Sequence, residues 1–296
     1  MSLKLGNTDI NKGYLGGTEI KKAYLGNTIV FDNTSDNRFT ITRNVASNGE
    51  LVTLPVTTPR PTDWGDGNTT TTETTHVYQN SGVYQIKIDG IINDWSSITI
   101  PRSEKEQFIS VDNISEGFVL TDSCFNDYRK TLSINNPNGN TFYTSNLGQY
   151  FRFCLDLITI DLRGLDSSGM TSGNNVFLNC QDLEEIKHDN SLYFGNNANF
   201  SFWFSGCNKL NQSLSWIDFS SARLLNSFMQ GKSSANYDYQ YYDELLIKWD
   251  SELDVPNMTS LTIDMGTIQY SSAGSSAHAS LVAKGLIITD GGQNAF

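Results

Sequence analysis

No stretch of this chain approaches the ~20 consecutive apolar residues that a membrane-spanning helix needs. Positive charge is scarce as well: 20 Lys and Arg stand against 32 Asp and Glu, a formal charge of -12. Nucleic-acid backbones and anionic lipid surfaces both demand a basic face, so neither is an expected partner, whereas neutral glycans are not excluded. Histidine occurs only at His76, His188 and His278, far apart in the sequence. There is no His-x-x-x-His, Gly-x-Ser-x-Gly, phosphate loop or Cys-x-x-Cys, so no nucleophile, base or ligand set is singled out. A carboxylate pair of the glycosidase kind, about 5 to 10 Å apart, could sit among the acidic residues, yet no motif selects one. The expectation is a non-enzymatic protein with no cofactor and no metal. The start, Met1-Ser-Leu-Lys-Leu-Gly, lacks the apolar core of a secretory signal, which predicts synthesis as a soluble cytoplasmic product.

What is present is periodic. Phe125, Phe151, Phe177 and Phe204 lie 26, 26 and 27 residues apart, and the last three open a common formula. It reads Phe151-x-x-Cys154-x-x-Leu157, Phe177-x-x-Cys180-x-x-Leu183 and Phe204-x-x-Cys207-x-x-Leu210. A period held this tightly marks stacked units, each of which borrows its neighbour to bury its apolar face. After each Leu an alternating run such as Ile158-Thr-Ile160-Asp-Leu162 suits a strand with one face inward and one wet. Phe-x-x-Cys is expected to form a turn or short helix opposite that strand. The result is a short solenoid on the leucine-rich-repeat plan. The cysteines could be read as two disulfides or a metal site, but three recur in register with the repeat, where a small buried hydrophobe suffices. Cys124 falls outside that register.

The first 32 residues carry a second period, of ten: Leu5-Gly-Asn-Thr, Leu15-Gly-Gly-Thr and Leu25-Gly-Asn-Thr. Gly-Asn and Gly-Gly are turn dipeptides, and Ile-x-Lys-x-Tyr alternates as strands do, which predicts a small meander. Its apolar set, Ile10, Tyr14, Ile20, Tyr24 and Ile29, is too small to be stable alone, so it should cover itself against another chain or a neighbouring subdomain.

From residue 33 to 92 the most diagnostic string is Asp63-Trp64-Gly65-Asp66-Gly67, followed by His76-Val-Tyr78 and Gly82-Val-Tyr84-Gln-Ile-Lys-Ile88. This order resembles the polycystic-kidney-disease (PKD) type of immunoglobulin-like sandwich. The resemblance implies an architectural motif in which Trp64 fills the core, Gly65 and Gly67 permit the tight turn, and His76 and Tyr78 open the next strand. Asp63 and Asp66 could bind a cation, but Ca²⁺ wants six to eight oxygens, and a structural turn accounts for two carboxylates.

Residues 93 to 124, with Trp95, read as the lead-in to the repeats. Together with the Phe-x-x-Cys-x-x-Leu copies they resemble the surface-protein (BspA-like) leucine-rich repeats of bacterial surface antigens and bacteriophage structural proteins. The first copy departs from the formula, with Tyr128 where the others have Cys, as a capping coil would; Phe228-Met-Gln-Gly returns 24 residues after Phe204 without the Cys. The tail, from Tyr241-Tyr-Asp-Glu-Leu-Leu246 to Gly285-Leu-Ile-Ile-Thr-Asp-Gly291, is similar to the C-terminal cap of phage tail-associated repeat proteins. His278 stands where that cap usually has Arg.

The expected architecture is mainly β and multidomain: an attachment segment (1–32), an immunoglobulin-like sandwich (33–92), a leucine-rich-repeat solenoid with its lead-in (93–239) and an α/β cap (240–296). The resemblances imply a bacteriophage virion protein of tail-fibre type that docks to the particle through its N-terminus and meets host-surface glycan or protein through the repeats. Other virion proteins would be its partners, without membrane insertion, and an undersized hairpin sheet invites a homo-oligomer such as a trimer. Two alternatives stay open: a capsid or tail decoration protein that binds only virion proteins, and a bacterial cell-surface adhesin.

Overall fold

The structure, a computed structural model, describes residues 37–121, 123–144, 148–168, 173–189 and 198–294, with the backbone of the strands between residues 3 and 32. The chain is mostly β, and no helix among the described residues is long and apolar enough to cross a membrane. It separates into two compact units, Met1–Asn37 and Arg38–Phe296.

In the first unit the ten-residue period becomes three antiparallel pairs: Leu3–Leu5 with Thr8–Ile10, Gly13–Leu15 with Thr18–Ile20, and Lys22–Leu25 with Thr28–Asp32. The Leu and Thr of each Leu-Gly-x-Thr string face one another, Leu5 with Thr8, Leu15 with Thr18 and Leu25 with Thr28, the spacing that a turn dipeptide demands. The side chains of Ile10, Tyr14, Ile20, Tyr24 and Ile29 lie outside the described residues.

The second unit is built on one eight-stranded sheet. Its order is Thr69–Thr70, Thr62–Asp63, Gly82–Ile88, Phe39–Val45, Phe108–Asn113, Ser133–Ile134, Thr159–Asp161 and Glu185–Lys187. The Phe108–Asn113 strand runs antiparallel to Phe39–Val45 on one side and parallel to Ser133–Ile134 on the other. It therefore joins the strands of residues 39–88 to those of the repeats in one continuous hydrogen-bond ladder. Extra residues at Ile109 and Asp112 shift the register against Phe39–Val45, bulges that let a straight antiparallel pair meet a stacked parallel one.

Period-2 alternation explains the two faces of this sheet. Phe39, Ile41, Ile86, Ile88, Phe108, Val111, Ile134, Ile160 and Ile186 point inward and are buried. In successive register, Gln85, Thr42, Ser110, Ser133, Thr159 and Glu185 form one polar row on the other face. The expected inward run Ile158-Thr-Ile160-Asp-Leu162 is corrected at its start: Leu157 is fully buried but Ile158 is 38 % exposed. The strand covers only Thr159–Asp161, so Ile158 lies in the bend that enters it and is turned out.

The coils also carry a second parallel ladder that the repeat formula does not display: Val119–Leu120, Phe142–Thr144 and Leu165–Asp166. Phe-x-x-Cys is a turn rather than a helix. Its residue after next from Phe is left-handed in every copy: Asp127, Phe153, Asn179 and Gly206 all have φ between 60° and 75°.

Through the middle of the unit runs an aromatic spine. Phe125, Phe151, Phe177 and Phe204 stack ring on ring at 5.9, 5.4 and 5.4 Å, with planes within 14° of parallel. On one side Phe125 meets Phe118, which stacks on Phe39 of the Phe39–Val45 strand at 4.9 Å. Beside the rings, the thiols of Cys154, Cys180 and Cys207 donate to the carbonyls of Phe125, Phe151 and Phe177 at 3.1, 2.9 and 3.0 Å, one coil back in each case. All four cysteines are buried free thiols.

The spine ends by changing geometry. Phe228 meets Phe204 edge-on, at 89°. Its backbone explains why: Phe204 N–H donates to Phe228 O, as Phe151 N–H does to Val176 O and Phe177 N–H to Trp203 O. Phe228 thus occupies the position before the repeat Phe, Met229 takes the Phe position, and the returning coil comes 25 residues after Phe204. That corrects the 24-residue alignment on Phe228. Lys232, three residues after Met229, takes the Cys position. Beyond it, Trp249 of the Tyr239–Glu252 helix packs edge-on against Phe228 at 5.7 Å and closes the core.

Because Phe177 sits mid-spine with 1 % exposure, Phe177→Ala should cost about 3–5 kcal/mol. The shared core predicts that residues 38–296 unfold in one transition. Denaturant unfolding followed by tryptophan fluorescence and far-UV circular dichroism checks both; separate midpoints for the two probes would show that the spine does not couple the halves.

Candidate functional site

The Trp-Gly-Asp-Gly turn is held from within. Trp64 is fully buried, its indole N–H donates to Thr70 Oγ1 at 3.0 Å, and its carbonyl accepts from the Tyr78 hydroxyl at 2.7 Å. Gly65, at φ +78°, lies so close to the next strand that a Cβ would come within 2.3 Å of Gln85 O; Gly67 is also left-handed, at φ +92°. Asp63 accepts from Gly65 N–H at 3.0 Å, and Asp66 accepts from Asn68 N–H and lies 2.7 Å from His76 Nε2. Burial pushes the Asp66 carboxyl up, but the hydrogen bonds from His76 and Asn68 outweigh it and hold the group below its usual range. Both carboxylates are thus committed to the turn, and among the described residues no group of three or more His, Cys, Asp or Glu is placed to hold a metal.

The three histidines sit in three places, each stacked on an aromatic ring: His76 on Trp64 at 5.0 Å, His188 on Trp216 at 4.6 Å and His278 on Tyr270 at 4.5 Å. His278 Nε2 is 3.3 Å from Asp290, whose carboxylate also accepts from the Tyr242 hydroxyl at 2.7 Å. These contacts tie the Ser272–Ala283 helix to the C-terminal strand Ile287–Thr289 and to the Tyr239–Glu252 helix. Phe151, Cys154, Leu157, Phe177, Cys180, Leu183, Phe204, Cys207 and Leu210 are all buried, so the repeat formula supplies core and leaves contact with any ligand to the residues between.

Those intervening residues form columns up the stack. Lys130, Asp156, Asp182 and Lys209 follow one another, with ion pairs at 3.1 Å between the first two and 3.0 Å between the last two. Beside them run Leu132, Ile158, Glu184 and Asn211, linked coil to coil by Ile158 N–H to Leu132 O and Glu184 N–H to Ile158 O. Leu132 is 44 % exposed, so the lower part of this column is an aliphatic ridge. Its upper part opens into a cleft of about 520 Å³ lined by Glu184, Asn208, Lys209, Asn211 and Asn236.

Two polar side chains close this end of the stack, buried Lys232 beneath the cleft and half-buried Gln212 at the sheet edge, and the repeat formula points to neither. Lys232 is 2 % exposed, and its ammonium donates to the carbonyls of Leu210, Asn208 and Asn236 at 2.5, 3.3 and 3.2 Å. It also lies 5.7 Å over the Tyr237 ring. Asn208 and Asn236 belong to opposite walls, so one cation pins the two together. Gln212 closes the edge of the sheet: its amide oxygen accepts from Ile186 N–H at 2.8 Å and its amide N–H donates to Ile186 O at 3.1 Å. A side chain here takes the place of a ninth strand, satisfying the groups that an open edge would present.

No protein-family model, curated protein or solved structure matches this chain.

Gln212→Ala should leave both polar groups of buried Ile186 unpaired, at a cost of about 1–3 kcal/mol, and raise concentration-dependent association through the open edge. Denaturation together with light scattering tests it.

Lys232 gives a pH signature. Burial lowers its pKa from 10.5 to about 8, against the opposing pull of Cys207. The folded chain therefore releases this proton first, and the contribution of Lys232 to stability rises as pH climbs from about 8 to 10.5. Burial moves the thiols the other way: Cys154 and Cys207 are raised from 9.0 to about 12, so above pH 9 the unfolded chain loses protons that the folded chain keeps, and stability falls. The stability of the wild type relative to Lys232→Met should then grow between pH 8 and 10.5, by on the order of 3 kcal/mol. Parallel unfolding curves against pH check this; a constant difference would show that the ammonium is not desolvated.

Proposed function

We propose that this chain is a bacteriophage virion protein of tail-fibre type, which docks to the particle through its ten-residue-repeat hairpins and recognises the host surface through the stacked repeats. The stack acts as a short leucine-rich-repeat solenoid, with residues 240–296 as its cap. The observation that carries the reading is the division of labour along the chain. The chain divides into a small unit that holds the hairpins, residues 1–37, and a larger one, residues 38–296. In that body the repeat formula is consumed by the core, while the cleft on the top coils keeps charged and amide groups at the surface. A hairpin unit of so few residues gains stability by packing on a partner, which suits docking. The acidic balance of -12 leaves neutral or cationic surfaces as the targets.

Two experiments test the halves separately. A chain lacking residues 1–32 should fold but fail to join particles; normal incorporation would overturn the docking assignment. The fluorescently labelled full chain should bind some bacterial strains and not others. Absence of binding by folded, native-state protein would favour a decoration protein whose contacts are other virion proteins. Truncation after residue 92 is a poor control, because it strips the Phe108–Asn113 partner from the Phe39–Val45 strand and exposes the core.

A further inference from the structure

The cleft between Glu184, Lys209 and the amides of Asn208, Asn211 and Asn236 has a defined hydrogen-bonding polarity. Asn211 Oδ1 accepts from Asp238 N–H at 2.9 Å, and Asn236 Oδ1 accepts from Ser233 N–H at 2.9 Å. Each amide oxygen is thereby spent on the backbone, while no described group accepts from the Nδ2 donors of these two cleft-lining residues. Glu184 supplies acceptors, exposed to solvent. Beneath them, Lys232 locks the walls by holding the carbonyls of Asn208 and Asn236, so the donors are presented without a loop having to close.

Charge and shape narrow the ligand. Lys209 is already paired with Asp182 at 3.0 Å and lies 3.9 Å from Glu184, and the Lys232 ammonium is spent on three carbonyls, so the cleft offers no uncommitted cation to an anionic ligand. An extended peptide adding to the sheet is blocked, because Gln212 occupies both backbone groups of Ile186 at the edge. The residues that line the cleft are all polar or charged, so they form no aliphatic or aromatic socket for a peptide anchor. Fixed amide donors beside carboxylate acceptors match hydroxyl groups, which donate and accept at once. The exposed aliphatic ridge of Ile158 and Leu132, one and two coils below Glu184, offers the C–H face of a sugar ring an apolar surface.

We propose that this cleft is a binding site for an uncharged glycan, with Asn211 and Asn236 as its donor residues, Glu184 as acceptor and Lys232 as the positioning residue. The proposal rests on the receptor-binding reading for its biological setting, but its chemistry is tested without cells. An open cleft of this size predicts weak binding per site, with strength gained through multivalency.

The test titrates the full chain with cellotetraose, maltotetraose and chitotetraose, and with tetragalacturonate as the anionic counterpart, following the side-chain amide resonances of Asn211 and Asn236 by NMR. At least one neutral tetrasaccharide should shift both resonances saturably, and tetragalacturonate should not. Asn211→Asp and Asn236→Asp keep the oxygen that holds the backbone N–H but remove the donors. Each should melt at the wild-type temperature and weaken the neutral ligand by up to about tenfold, the upper end of what one hydrogen bond contributes. The proposal is overturned if no neutral probe moves those resonances, if the aspartate variants bind as well as the wild type, or if tetragalacturonate binds more tightly. The wider reading fails separately. Cell binding that survives Asn211→Asp removes the cleft and keeps a receptor-binding protein; glycan binding without cell binding keeps the cleft and removes the receptor role.

Discussion

The stacking of phenylalanine on phenylalanine sets the geometry of residues 38–296. A ring every 26 residues can pack at 5.4 to 5.9 Å only if successive coils superimpose, and superposition brings each thiol under the preceding Phe carbonyl and each short strand beside the last. Strands of two or three residues are too short to be stable by pairing alone. Here they are held in register by the core they flank. The same rings reach Phe39 through Phe118, so the strands of residues 39–88 are continuous with the repeats through sheet and core together.

The two ends of the stack solve the problem of an exposed coil in different ways. At the lower end a bulky aromatic, Tyr128, replaces Cys and packs edge-on against Phe108 and Phe125, and the antiparallel Phe39–Val45 strand completes the ladder. At the upper end the solution is polar: Lys232 replaces Cys and Gln212 replaces a strand. A buried ammonium is tolerated because three carbonyls and an aromatic face surround it. Polar closure is also what leaves amides and carbonyls arranged around the cleft, so the architecture of the cap and the chemistry of the surface have one origin.

Much of the fold was legible in the sequence because it repeats. Phe, Cys and Leu at fixed spacing mark the core, and Leu-Gly-x-Thr at a period of ten marks the hairpin bends. What was not legible depended on contacts distant in sequence. Nothing local in Phe39–Val45 announces that its partner is Phe108–Asn113, and the second parallel ladder is made of strands of two or three residues with no pattern of their own. Lys232 was hidden because the aromatic Phe228 drew the alignment one residue out of register. Gln212 carries no signal at all, since a side chain imitating a peptide group leaves no periodic trace. The cleft residues belong to the variable positions of the repeat, and a signal for them existed only in their columns: Lys, Asp, Asp, Lys in one and Leu, Ile, Glu, Asn in the next.

A terminus closed by a single glutamine also fixes where the molecule can vary in length. The interior coils ending at Leu157 and Leu183 present the same carbonyl, ring and strand edge above and below, so one could be duplicated or deleted with every neighbour still finding its partner. A coil added after Gln212 would meet an edge already occupied. Growth is therefore confined to the interior, and chains built on this plan would differ in reach by whole coils while carrying the same upper surface at their tip.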